Sequence, residues 1–435
     1  MNLSKISNKY TQIAGLTNYL LVLALAFSAS FPNRIFNSMW VLWLISWLLE
    51  GRFLKKSNFS FNKSKIPVLL LLVFYIWEAI SLFWAKDKAA GLSMLEKQMS
   101  FVAIVPIALF GVNRYYKTTT ILLSVVIGVL VSILSYSMTL LYAYNYEYLI
   151  SSGDLSLWNG FDTKTFTVWL TNIKHRLYYN TVLVIAIFSL PFLYKKHATK
   201  QGKYLTLILT LITAITILAM LYLTESRSII VALLLIVAIV ISRMINKKHR
   251  VYVVSGVVLL ISIGSYLFVE YHPRMQNFKA NDFETLKTGK TTNEFIEPRL
   301  LIWHAVFENP QDYLLHGLGV GNSTDYLVEK YLSNGFPEVF ATRKYSAHNQ
   351  YFIATMELGL AGGLFLILFF FLFHRFLRGN ARRFGFYFSL LMSFNLLTEG
   401  MLGRGDGVLT LCFFALVCIW MQQEQNPNED KMDFL

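Results

Sequence analysis

The chain is a succession of long apolar runs separated by short polar stops. Twelve runs of about 15–24 residues stand out, at roughly 14–31, 35–50, 66–84, 97–112, 121–142, 177–194, 204–223, 229–245, 251–269, 353–373, 384–398 and 408–421. A helix of ~20 apolar residues spans the hydrocarbon layer of a bilayer. Composition agrees. Hydrophobic residues make up 55% of the 435, Phe alone occurs 35 times, and only 15% are charged, against about 25% in soluble domains. With a mean hydropathy of +0.49, the chain needs lipid as its solvent. A soluble enzyme, a disordered protein and a disulfide-stapled secreted domain are excluded. The expected fold is an all-α polytopic membrane protein with about twelve transmembrane helices. Residues 1–269 hold helices one to nine, 270–350 form one large loop, 351–421 hold the last three helices, and 422–435 are a polar tail.

The net charge of +14 does not point to nucleic acid, because the basic residues sit in short clusters between apolar runs. Such clusters set orientation: segments rich in Lys and Arg stay inside, and long loops do not count. With the N-terminus inside, the inner segments carry 22 Lys and Arg against 9 in the short outer segments. Both termini are therefore expected to be cytoplasmic, with the 270–350 loop outside. Ser28-Ala29-Ser30 only weakly mimics a signal-peptidase site, so the first helix is read as retained. Cys412 and Cys418, six residues apart in one run, stand about 9 Å apart along a helix and cannot pair.

Five of the eight histidines, His175, His272, His304, His316 and His348, fall in outer segments. This one-sided set of titratable groups marks an extracytoplasmic site. Thr224-Glu225-Ser226-Arg227-Ser228 separates two apolar runs, which holds Arg227 at the membrane face. It reads either as a snorkelling arginine on a tight turn or as an anion site, since the guanidinium fork suits phosphate. Pro298 fits the first turn of a helix that would carry Arg299 and Trp303 on one face. The bland reading is a surface helix with a tryptophan anchored at the membrane interface. The run His316-Gly317-Leu318-Gly319-Val320-Gly321 calls for unusual backbone angles or close approach, and it is neither a Walker loop nor a dinucleotide fingerprint.

His348 stands where the long loop returns to the membrane, followed by Glu357-Leu358-Gly359 and the glycines at 362 and 363. On one unbroken helix Glu357 would lie about 900° further round, opposite His348. No His–Glu pair is expected there, and the glycines allow close packing or a break. No Asp-x-Asp, His-Glu-x-x-His or Gly-x-Ser-x-Gly occurs, so no metal site and no cofactor are expected.

Taken together these segments resemble the O-antigen ligase/O-antigen polymerase superfamily of bacterial inner-membrane proteins. The matching pieces are His175-Arg176-x-Tyr178, Ser226-Arg227 opening a helix, Arg299 followed by Trp303, the Gly-x-Gly-x-Gly run, and His348-Asn349-x-Tyr351 leading to Glu357-x-Gly359-Leu360. Glu399 before a glycine-containing turn is the last of them. Ser228-Ile229 after Arg227 departs from the family, where a small residue such as glycine is common. The resemblance implies a GT-C-like architecture and metal-independent, inverting transfer of a glycan from an undecaprenyl-diphosphate donor to an acceptor hydroxyl outside the membrane. It implies His348 as the essential histidine and Arg227 and Arg299 as the diphosphate-binding arginines. Asn349, Tyr351, His175, Arg176, His316 and Glu399 are possible supporting residues. The acceptor would be a lipid A core sugar in a ligase, or a growing lipid-linked glycan in a polymerase, and the ligase is favoured. Membrane lipids are the remaining partners. A lipid-linked glycan flippase or other transporter is the alternative of another class. It would carry ionisable groups in mid-membrane, where only Glu78 is found well inside an apolar run.

Overall fold

The computed structural model describes residues 3–152, 173–197, 202–224, 227–244, 298–336 and 338–425, with the isolated positions 170, 251, 252, 255, 256, 259 and 263. Among the described residues all regular structure is helical and no strand occurs. Seven described helices are long and apolar enough to cross a membrane: Tyr10–Ser28, Lys63–Ser81, Lys88–Phe110, Thr118–Thr139, Arg176–Lys196, Lys203–Leu223 and Gly405–Gln425. Ile229–Ile239 and Leu360–Phe376 are shorter apolar helices. Most of the expected span at 251–269, and the stretches 153–169, 171–172 and 264–297, with His272, lie outside the described residues.

The N-terminal half runs α1 (Leu3–Ser28), α2 (Asn33–Glu50), α3 (Ile66–Ser81), α4 (Lys88–Gln98), α5 (Ser100–Phe110) and α6 (Thr118–Ser152). Then come α7 (Arg176–His197), α8 (Lys203–Leu223) and α9 (Arg227–Met244). The segment 85–96, expected as an outer loop, is instead mostly helix. Asp87 caps it by accepting from the backbone N–H groups of Ala89 and Ala90, and the strong helix formers that follow carry it into α5. Apolarity alone hides such a helix, because its first turns are polar.

The long loop contains α10 (Pro298–Glu308), α11 (Ser323–Ser333) and the short α12 (Glu338–Thr342). These share a small core of their own, built from Leu301, Ile302, Ala305, Val306, Leu327, Tyr331 and Phe340, which also takes in Ala347 and Met356. The chain then enters α13 (Gln350–Leu358), breaks, and continues as α14 (Leu360–Phe376), α15 (Gly379–Thr398) and α16 (Gly405–Gln425). The expected single helix at 353–373 is thus two helices. Gly359 separates them with φ +74°, a left-handed conformation that costs an L-residue strain.

The glycine run meets this break. Gly317, Gly319 and Gly321 all have positive φ. The N–H groups of Leu318 and Gly319 donate to the carbonyls of Met356 and Glu357 at 2.8 and 2.9 Å, and Leu360 N–H donates to Leu314 at 2.8 Å. Val320 N–H donates to Ser81 Oγ, and Asp87 N–H to Asn322. The run therefore clasps the outer lobe to the tops of α3, α4 and α13. A Cβ on Gly317 would overlap the Glu357 carbonyl oxygen. Gly317→Ala is expected to lower stability by about 1–3 kcal/mol, seen as an earlier midpoint of thermal unfolding in detergent. An unchanged midpoint would show that the clasp does not support the fold.

Helix α16 is the hub. It is buried from Asp406 to Gln422 and packs against α2, α4, α5, α6, α7 and α15. A helix apolar all round belongs in the interior of a bundle. Cys412 and Cys418 are both free and buried in it. Glu78 is not alone among buried acids. Glu357 is also buried and accepts from Ser323 Oγ at 2.6 Å, bracing the start of α11.

Candidate functional site

One end of the bundle is where α7, α9, α13 and α16 begin and α15 ends: Thr224, between α8 and α9, donates to Asn180 near the start of α7, and His348, just before α13, meets Glu399 at the end of α15. His348 precedes α13 rather than lying on it, so helical phase does not govern its relation to Glu357. Asn349 is the N-cap of α13: its side-chain oxygen accepts from the N–H groups of Tyr351 and Phe352 at 2.9 and 3.2 Å. The residue before this cap turns the chain with φ +46°, a sparsely populated conformation for a non-glycine residue and one common at functional sites. Trp303 latches the approach by donating from Nε1 to the Ala347 carbonyl at 3.0 Å. It is a strut inside the outer lobe, not an interface anchor.

The His348 ring is not solitary. Its Nδ1 lies 3.0 Å from Oε1 of Glu399, the residue that ends α15 in an extended conformation. An ionised carboxylate only accepts, so Nδ1 carries the hydrogen, and in the neutral ring Nε2 then keeps its lone pair. Both side chains keep partial access to solvent, 30% for His348 and 23% for Glu399. Burial raises the Glu399 carboxyl, but the His348 hydrogen bond and the charges of His348, His175 and Arg299 outweigh it and hold the group below its ordinary value. Arg299 is thus close to the pair, on the same helix face as Trp303 one turn away.

The turn between α15 and α16 is fixed at its middle. Leu402 N–H donates to Gln350 Oε1 at 2.8 Å, and the Leu402 carbonyl accepts from Gln98 at 3.2 Å. His175 lies just before α7, with its ring centroid 5.3 Å from that of Tyr178. Burial and the neighbouring Arg404 lower its pKa, with Arg176 adding to the effect against Glu399 and Asp406. It is neutral at pH 7, since histidine ordinarily titrates near 6.5. Lys174 is buried and donates to the carbonyls of Ala29 and Phe31 at 2.6 and 2.9 Å. Burial lowers its pKa to about 8, with Asp406 opposing.

The remaining expected residues divide. Arg227 opens α9, and its side chain lies outside the described set. Tyr351 is directed into the bundle, toward the Ser393 carbonyl at 3.4 Å. His316 is exposed in the turn before the glycine run and is not among the charges acting on the pair. Asn349 acts as a cap. Sequence reasoning missed Arg404, Asp406 and Lys174, and named Tyr178 only within the His175-Arg176-x-Tyr178 motif. The signal for Arg404 and Asp406 was the alternating Gly403-Arg404-Gly405-Asp406-Gly407, a backbone pattern suited to a tight turn.

A family model described as O-antigen ligase matches residues 212–367. The match supports a place for this segment in the O-antigen ligase/O-antigen polymerase superfamily. The match, with the apolar helices, supports a membrane protein with ligase- or polymerase-family activity in polysaccharide biosynthesis. No curated protein sequence matches the chain. The ligase match contains Arg227, Arg299 and His348, whereas His175, Glu399 and Arg404 fall outside it. The superfamily's matched segment thus supplies the outer lobe and His348, while the carboxylate partner comes from the end of α15.

Proposed function

We propose that this chain transfers a glycan from an undecaprenyl-diphosphate donor to an acceptor hydroxyl at the outer face of the bacterial inner membrane, and that it is an O-antigen ligase whose acceptor is a lipid A core sugar. The observation that carries the reading is the His348–Glu399 pair with a bare Nε2 and Arg299 beside it. In the reaction the acceptor O–H gives its proton to His348 Nε2 as its oxygen attacks the anomeric carbon. The bond from that carbon to the diphosphate oxygen breaks, and its electron pair leaves with undecaprenyl diphosphate. Attack opposite the leaving group inverts the centre. Glu399 holds the imidazole in the competent tautomer and stabilises the imidazolium that forms. Arg299, and Arg227 at the positive end of α9, neutralise the growing charge on the diphosphate, a role of preorganised cations in a water-poor site. Asn349 serves this chemistry by fixing the backbone that follows His348. His175 and Arg176 supply the opposite wall.

The architecture that goes with this reading has about twelve spans of GT-C-like design, both termini in the cytoplasm and the 270–350 loop outside. With arginines on the diphosphate, transfer is metal-independent. Protein purified into lipid nanodiscs, given a synthetic undecaprenyl-diphosphate glycan and a lipid A core acceptor, is expected to form the joined product at the same rate with and without EDTA. Loss of activity in EDTA with rescue by Mg²⁺ would overturn metal independence. Extension of the donor glycan in place of acceptor capping would make the chain a polymerase.

A further inference from the structure

The turn from Glu399 to Arg404 has two ends that face different surroundings. Glu399, at one end, meets His348 and Arg299. At the other end α16 begins, and the Gly407 backbone packs so closely on the Tyr178 ring that a Cβ there would come within 3.1 Å of it. His175 stacks beside Tyr178 at 5.3 Å. Three buried polar atoms at this end have no hydrogen-bond partner among the described residues: His175 Nδ1, the Tyr178 hydroxyl and Asp406 Oδ2. Tyr178 is wholly buried and Asp406 is 5% exposed. Arg176 and Arg404 are exposed beside them, and neither forms an ion pair with a described residue.

Leaving a buried polar atom unpaired is costly, so such a group of donors and acceptors calls for a polar ligand. Two unpaired guanidinium groups above it call for negative charge. A glycosyl transfer must also seat two substrates on either side of one base. With a diphosphate at the Arg299 side, the Arg404 side is left for the other substrate. We propose that Arg176 and Arg404, with the His175, Tyr178 and Asp406 atoms beneath them, form the acceptor subsite, and that the acceptor sugar seated there bears a phosphate or carboxylate. This rests on the reading of His348 as the base.

The test uses the full chain in nanodiscs and three probes: glucose 6-phosphate, glucose and undecaprenyl diphosphate. Wild-type protein is expected to bind glucose 6-phosphate, by saturation-transfer NMR, more tightly than glucose, with affinity falling as salt rises. Arg176→Ala/Arg404→Ala should weaken glucose 6-phosphate about tenfold or more and leave undecaprenyl diphosphate binding unchanged. Both side chains are exposed, and an unchanged thermal midpoint will show that the variant is folded. Equal binding of glucose and glucose 6-phosphate would overturn the proposal. So would undiminished binding of the phosphate by the variant, or a parallel loss of undecaprenyl diphosphate, which would assign these cations to the donor. His348→Ala separates the two readings. It should keep glucose 6-phosphate binding. If it also transferred glycan normally, the base assignment would fail while the anionic-sugar site stood.

Discussion

His348→Ala is expected to bind undecaprenyl diphosphate as the wild type does and to lower single-turnover glycan transfer about 10²–10⁴-fold, the usual loss on removing a general base. The structure separates binding from chemistry here. In the proposed mechanism the diphosphate-binding arginines come from α9 and α10, whereas His348 sits on the segment leading to α13. Alanine keeps a Cβ, so the backbone strain at φ +46° is unchanged, and loss of the partly exposed ring should leave the thermal midpoint close to that of the wild type. Transfer within threefold of wild type would remove His348 from the mechanism and direct attention to His175. A fall in stability would instead point to a structural role for the ring.

Glu399→Gln is expected to lower transfer by roughly 10²–10⁴ as well, with little change in binding of either substrate. A glutamine can present its NH₂ to Nδ1. That favours the tautomer with hydrogen on Nε2, which cannot accept the acceptor's proton. The stability of the same variant carries a second signature. The Glu399 carboxyl titrates below its ordinary value in the folded protein. Its contribution is therefore present above about pH 4.3, the ordinary glutamate value, and is lost as pH falls through the lowered folded value. The difference in thermal midpoint between wild type and Glu399→Gln should be full at pH 7 and shrink toward acid. A difference that grows toward acid, or full activity at any pH, would show that the carboxylate does not orient His348.

The all-helical, apolar character of the chain and the facing of Arg299 with Trp303 on one helix were legible because they depend on periodicity and local propensity. The pairing of His348 with Glu399 was not. It joins residues 51 apart through the packing of α13 against α15, and the helical-phase argument weighed only Glu357. The same reason hides the Arg404 end of the turn, which meets His175 through the contact of α16 with α7. The polar start of α4 and the break at Gly359 were misread for local reasons. One is a capped amphipathic turn, and the other is a glycine whose two permitted roles, close packing or a stop, sequence does not distinguish. The apolar run 408–421 is short of the ~20 residues expected of a span, whereas α16 itself extends over 21 residues. Its central burial comes from its neighbours, not from its own length.

The outer lobe has its own apolar core, distinct from that of the bundle, and it holds Arg299 while Glu399 stays with the bundle. A core of that kind can be remodelled without disturbing the spans, provided the Trp303 latch and the glycine clasp are kept. Chimeras that exchange residues 298–345 with the matching segment of another chain are then expected to inherit the donor preference of the lobe while folding on an unchanged helical base.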